Sequence, residues 1–241
     1  MGSDHDVYQD SSFGIPAIYM NDWPDRYIHT NFDTAANIDT TKLKRAAFIG
    51  AASGYFLSRL STDNVSIAKD TIDFESPWRG GLLFSRRSSL SAREIQCADD
   101  YGLQYETAAL NELNNFVASK ERVLRMDGPE CPVAEGNTSE ASGRRFQRKA
   151  EPKGPLSVFG YDYFSEHAKA SGVAEPKLVS YEGLWGSGEE YAYEVLNFAD
   201  GKRNAQEIRD AVAAEYGPVP LELVVEYLRG LEKIGLVAEV K

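Results

Sequence analysis

Asn197-Phe198-Ala199-Asp200-Gly201-Lys202-Arg203-Asn204-Ala205-Gln206-Glu207-Ile208 is the stretch that decides how the carboxyl-terminal part of the chain folds. Asp200-Gly201-Lys202-Arg203 has turn chemistry, because Asp and Gly accept the conformations a tight reversal needs. Asn204 then supplies a side-chain oxygen that can cap the start of a helix. Outward on one side, Glu189 to Phe198 predicts a short helix. On the other, a helix from Asn204 to Tyr216 turns Ile208, Ala211 and Val212 inward, and Gly217-Pro218 stops it. A third helix, about Pro220 to Ile234, repeats Leu221, Val224, Val225, Leu228 and Leu231 and ends at Gly235. Leu236 to Val240 alternates as a terminal strand.

Three helices closed by a strand describe a small winged-helix fold over 157–241. The run from Tyr193 to Ile208 resembles the winged-helix domain of the peptide chaperone of pyrroloquinoline quinone biosynthesis. That resemblance implies peptide binding by strand addition beside a helix. Upstream, residues 127–156 shift to Gly, Pro, Ser, Glu and Arg and predict a linker. Ser89 to Arg125 carries a helical stripe through Ile95, Ala98, Tyr101, Tyr105, Ala109, Leu113, Phe116 and Val123. Residues 61–88 read as irregular, with Pro77, Gly80 and Gly81 breaking any period. The 61–126 segment should pack on residues 1–60, where Gly14 to Met20 predicts a buried strand. Thr40 or Thr41 starts a helix to about Leu60. The expected fold class is mixed α/β: a strand–loop–helix unit, a long helical segment and a helical carboxyl-terminal domain.

Charge and cysteine content narrow the function. A net charge of −11 argues against nucleic acid, whose phosphates demand Lys and Arg. The basic cluster Arg144, Arg145, Arg148 and Lys149 falls in the expected linker and reads as solvated. The third helix faces outward with Glu222, Glu226 and Glu232, a poor surface for a DNA groove. The longest apolar run, Ala46 to Leu60, is shorter than the roughly 20 residues of a membrane span, so no membrane partner is expected. No signal peptide is visible. Cys97 and Cys131 are too few for a four-thiolate zinc site, and both a bridge and free thiols are compatible with the sequence.

His5 and His29, with Asp4, Asp6 and Asp33, form the one His–carboxylate group in the sequence. Histidine and carboxylate suit zinc, which in catalytic sites keeps a position open for water. From the residues alone, His29 is either a ligand or a surface, hydrogen-bonded histidine. Asp33 reads as a loop-fixing acceptor of backbone N–H groups, and His167 as a structural or surface residue.

The run Ser3-Asp4-His5, Gly14-Ile15-Pro16-Ala17, Tyr27-Ile28-His29-Thr30, Asp33-Thr34 and Ile38-Asp39 resembles the carboxyl-terminal end of metallopeptidase family 28. That family contains co-catalytic zinc aminopeptidases. The resemblance covers about residues 3–60. It implies an ancestral zinc-ligand position at His29, with Asp4, His5 and Asp33 beside the site. The family's other motifs, a His-x-Asp segment and a Glu-Glu pair holding the general base, precede this stretch. No His-x-Asp occurs here, and Glu189-Glu190 reads as helix capping. The resemblance therefore implies the carboxyl-terminal part of a zinc aminopeptidase acting on peptides, inactive without its remaining peptidase portion. Its parent is expected to be secreted or periplasmic. The rival expectation is a non-catalytic peptide-binding module.

Overall fold

The computed structural model describes residues 3–21, 24–117, 128, 130–134 and 141–240. It is mixed α/β, with long helices in the first half and a smaller unit of helices and sheet in the second. In chain order the elements are α1 (His5–Gln9), α2 (Thr40–Ser58), α3 (Val65–Arg86), α4 (Ala92–Glu112), β1 (Arg145–Arg148), α5 (Tyr163–Ala168), α6 (Gly188–Asn197), β2 (Asp200–Asn204), α7 (Ala205–Tyr216), α8 (Leu221–Lys233) and β3 (Val237–Val240).

The carboxyl-terminal elements follow the sequence closely. Asn204 caps α7 by accepting from the Glu207 N–H at 2.9 Å, while Glu207 accepts from the Asn204 N–H at 2.7 Å. This reciprocal box satisfies two of the donors a helix start leaves free. Gly217 ends α7 with φ at 95°, a left-handed conformation that a Cβ would oppose, and Trp185 and Leu184 crowd the position. Gly188 is needed for another reason: a Cβ there would lie 2.3 Å from the carbonyls of Leu178 and Val179. Helices α6, α7 and α8 converge on a core that includes Tyr191, Ile208, Val212, Tyr227 and Leu231, all fully enclosed. Each such side chain contributes about 1.5–3 kcal/mol through burial.

The expected linker contains the central strand. The sheet is antiparallel with order β2-β1-β3. Phe146 pairs with Glu239 and Arg148 with Val237, and β1 meets β2 at Arg145–Asn204 and Gln147–Asp200 across a bulge. Within β1 the side chains of Arg145 and Gln147 face water, whereas Phe146 is fully buried. A strand whose only apolar residue is one phenylalanine among arginines gives almost no periodic signal. The basic cluster is thus part of the sheet, and its arginines are engaged. Arg144 pairs with Glu239 at 2.7 Å. Residues 127, 129 and 135–140 of the expected linker lie outside the described residues.

The first half departs further from expectation. Gly14 to Met20 forms no strand and lies largely exposed. Helix α2 forms where expected, but Asp39 caps it, accepting from Thr41 N–H at 2.8 Å and Lys42 N–H at 3.2 Å. No residue of α2 is buried, so the packing side carrying Leu43, Tyr55 and Leu57 is open. Residues 65–86, read as irregular, are a single helix with Pro77 inside it. Proline in a helix interior costs about 3 kcal/mol, but α3 is held by its neighbour. Arg79 bonds Glu106 of α4 at 2.7 Å and also donates to the Ile72 carbonyl at 3.3 Å. Helix α4 begins at a Ser91–Glu94 capping box and runs through Gly102. Its expected continuation to Arg125 includes residues 118–125, outside the described ones.

Arg148 joins the amino terminus to this framework. Its Nη1 lies 2.9 Å from Asp10 Oδ1 and also reaches Ser11 and Asn197, while Nη2 donates to the Gly154 carbonyl. The side chains of Arg148 and Asp10 are 7% and 1% exposed. Asp10→Ala should therefore lower stability by about 3–5 kcal/mol in urea unfolding, because it strands a buried guanidinium. Glu239→Ala, which breaks the more exposed pair with Arg144, should cost about 1 kcal/mol or less. Equal losses would remove Arg148 from this role.

Candidate functional site

The residues singled out for zinc chemistry are held in two different settings. His5 sits in α1, stacked on Tyr19 at 4.7 Å, with Nε2 3.2 Å from Asp6 Oδ1. Asp4 precedes it, exposed at the helix start. This segment docks on the carboxyl-terminal unit: Tyr193 Oη donates to the Asp6 carbonyl at 2.6 Å, and Asn197 Oδ1 accepts from the Ser11 N–H at 2.8 Å. His29 lies instead on the exposed loop before α2, at φ 62°. Asp25 Oδ1 braces this loop by accepting from the N–H groups of Tyr27 at 2.9 Å and Ile28 at 3.1 Å. That is the role expected of Asp33, which is exposed four residues beyond His29.

Among the described residues, one group of three potential ligand side chains has donor atoms within 4.8 Å of one another: Cys97, Cys131 and Asp210. His29 is not in it. Cys97 and Cys131 are joined as a disulfide, so their sulfurs are not thiolate ligands. Asp210 is held bidentately by Arg93 at 2.8 and 2.6 Å and by Arg209 at 3.1 Å. The group is a structural fastening. Arg93 also donates to the Pro132 carbonyl at 3.0 Å, and Arg209 pairs with Glu94 at 3.0 Å. Together these bonds clamp α4 to α7 and to residues 130–132.

Glu190 does what a helix-capping reading predicts: its Oε2 accepts from the Ser187 N–H at 2.7 Å. His167 Nδ1 bonds the Tyr163 carbonyl at 2.7 Å on the exposed side of α5, a local structural contact.

The carboxylates pushed upward lie elsewhere, at Glu194 of α6 and Glu215 of α7. Burial, reinforced by the nearby Glu215 charge, pushes Glu194 up to about 8. Glu215 is raised as well by burial, partly offset by a 2.6 Å hydrogen bond from Tyr101 Oη. Burial and the same carboxylate push the Tyr101 phenol far up, so it stays a donor. Glu215 and Tyr101 face a cleft of roughly 660 Å³ between α3, α4 and α7, closed at one side by Trp185. Arg86 stacks over Trp185 at 4.3 Å. Both glutamates lie outside the His–carboxylate group that the sequence singles out.

No protein-family model, curated protein or solved structure matches the chain.

The raised Glu194 pKa makes stability pH-dependent. The folded state keeps its proton where the unfolded chain has already lost it, between the ordinary value of about 4.3 and about 8. Stability should accordingly fall as pH rises through that window and level off above it. Glu194→Gln should flatten that slope in thermal melts from pH 5 to 8.5, and be the more stable protein at the alkaline end. A wild-type and variant profile that run parallel would contradict the burial of an uncompensated carboxylate.

Proposed function

We propose that the chain is the carboxyl-terminal part of a zinc-dependent aminopeptidase. It hydrolyses N-terminal peptide bonds only together with a peptidase portion that supplies the remaining ligands and the general base. The observation that carries this reading is α2. It follows the His29 loop directly, is rich in Gly, Ala, Leu, Ile and Phe, and has no buried residue over its 19 positions. Phe48 and Ile49 are exposed. Water does not favour such a surface; the layer of an α/β domain would cover it.

Among the described residues no group of potential metal ligands includes His29. A catalytic zinc takes three protein ligands and a water, and His29 offers one imidazole. No catalytic step is therefore assigned to these residues. Asp4, His5 and Asp33 would shape the surroundings of the completed site. The Cys97–Cys131 disulfide fits an oxidising compartment, which supports a secreted or periplasmic parent. No helix among the described residues is long and apolar enough to cross a membrane.

A second reading, a non-catalytic peptide-binding module of winged-helix type, is favoured by one feature. Strand β3 is paired on one side only within the sheet, which leaves an edge suited to strand addition.

Incubated with aminoacyl-nitroanilides, the chain alone should release no more chromophore than His29→Ala. Joined to a family-28 peptidase portion, it should give a chelator-sensitive aminopeptidase that His29→Ala disables, since metal-activated water and a proton-moving carboxylate are then both present. Chelator-sensitive hydrolysis by the 241 residues themselves would overturn the proposal, as would a joined enzyme indifferent to His29.

A further inference from the structure

The cleft between α3, α4 and α7 is a second place where chemistry gathers, independent of the His29 loop and of the reading given to it. Its volume of roughly 660 Å³ falls in the range of about 300–1,000 Å³ typical of small-molecule sites. Its walls are mostly apolar, with Leu83 of α3, Leu103 and Tyr105 of α4, Ala214 of α7 and Trp185 among them. A few polar groups converge on this surface, the combination that fixes a ligand's orientation.

The charges at the cleft are unequally matched. Glu106 is held by Arg79 at 2.7 Å, and Asp99 by Arg87 at 3.5 Å. Arg86 spends its guanidinium on the face of Trp185, with Nη1 3.4 Å from the Glu215 carbonyl rather than the carboxylate. The Glu215 carboxylate takes its hydrogen bond from a neutral group, Tyr101 Oη. Behind it lies the second buried carboxyl, Glu194. Among the described residues no cation pairs with the Glu215 carboxylate, and this wall borders a pocket for an apolar body.

We propose that this cleft binds a primary amine carrying an aromatic or branched aliphatic group. The ammonium would sit on Glu215 and the apolar part against Trp185 and Leu83. An ammonium supplies the charge-assisted hydrogen bond the carboxylate lacks. A buried carboxylate without a cation is otherwise an unfavourable feature that an isosteric amide would relieve.

The test uses the full chain and phenethylamine as the probe, with 3-phenylpropionate as the matched anion, titrated by calorimetry and ligand-observed NMR. Phenethylamine should bind saturably, and 3-phenylpropionate about tenfold or more weakly, the size of one charge-assisted hydrogen bond. Glu215→Gln should erase that preference while the circular dichroism spectrum stays unchanged. Leu83→Trp, which fills the cleft from its wall without touching the carboxylate, should weaken the amine about tenfold. Amine and acid binding equally, an amine preference that survives Glu215→Gln, tight amine binding in Leu83→Trp, or no saturable amine binding would each overturn the assignment. None of these outcomes involves zinc or peptide hydrolysis, so failure here is distinct from failure of the proposed function.

Discussion

A guanidinium out of water must be neutralised where it lies, and Arg148 imposes that constraint on the whole molecule. It enters from the central strand and points to where α6 ends, so Asp10 has to come to it. Once Asp10 is there, Ser12 Oγ accepts from the Gly154 N–H at 2.9 Å and Tyr193 reaches Asp6. The amino-terminal segment is thereby fixed to a unit more than a hundred residues away in sequence. A buried ion pair is poor evidence of net stability compared with an apolar replacement. Its effect here is to fix residues 10–12 beside the sheet, where Asp10 and Ser11 meet the arginine.

How legible the fold was follows from where the apolar residues stand. Helices α6, α7 and α8 carry regular stripes, caps and stop signals, and each was visible in the sequence. Strand β1 was hidden because its pairing partners, not its own composition, make it a strand: Arg-Phe-Gln-Arg joins the sheet through Val237 to Val240 and Asp200 to Asn204. Helix α3 was hidden for the opposite reason. Pro77, Gly80 and Gly81 are strong local signals against a helix, and α3 takes its support from packing along α4, the Arg79–Glu106 pair included. The Gly14–Met20 strand failed because β-branched apolar residues make a strand only where a neighbouring strand accepts their backbone groups.

The site was less legible, though signals existed. His29 could be placed on a loop, but whether an imidazole is a ligand depends on residues brought near it, which spacing does not determine. The cleft carboxylate had a readable mark. Ile208, Ala211, Val212 and Glu215 continue one helical stripe, and Tyr191, Glu194, Val195 and Phe198 make another. A glutamate on the inward stripe of an amphipathic helix is either a design conflict or a functional group. Tyr101 stands on the matching stripe of α4, one turn beyond Cys97, so all three members lay at core positions of their own helices.

The uncovered apolar surface and the ligand set proposed around His29 have a common physical form. Phe74 and Trp78 on α3 are each 73% exposed and Phe48 on α2 is 71% exposed, while the carboxyl-terminal core encloses side chains of the same size. A chain that can build the second arrangement has no composition-based reason to leave the first. The difference lies in partners: α6, α7 and α8 have one another and the sheet, whereas α2 meets other elements mainly through Phe56 near its end. An apolar helix face acquires its stabilisation only against a second surface, and an imidazole acquires metal affinity only with further ligands. The proposed ligand position and the open face of α2 both lie in the His29 loop and the helix that follows it, so one added surface would meet both, whereas Phe74 and Trp78 lie on α3. The α4–α7 junction, fastened by the Arg93–Asp210 and Arg209–Glu94 pairs, carries the cleft, so the two proposals rest on different parts of the chain.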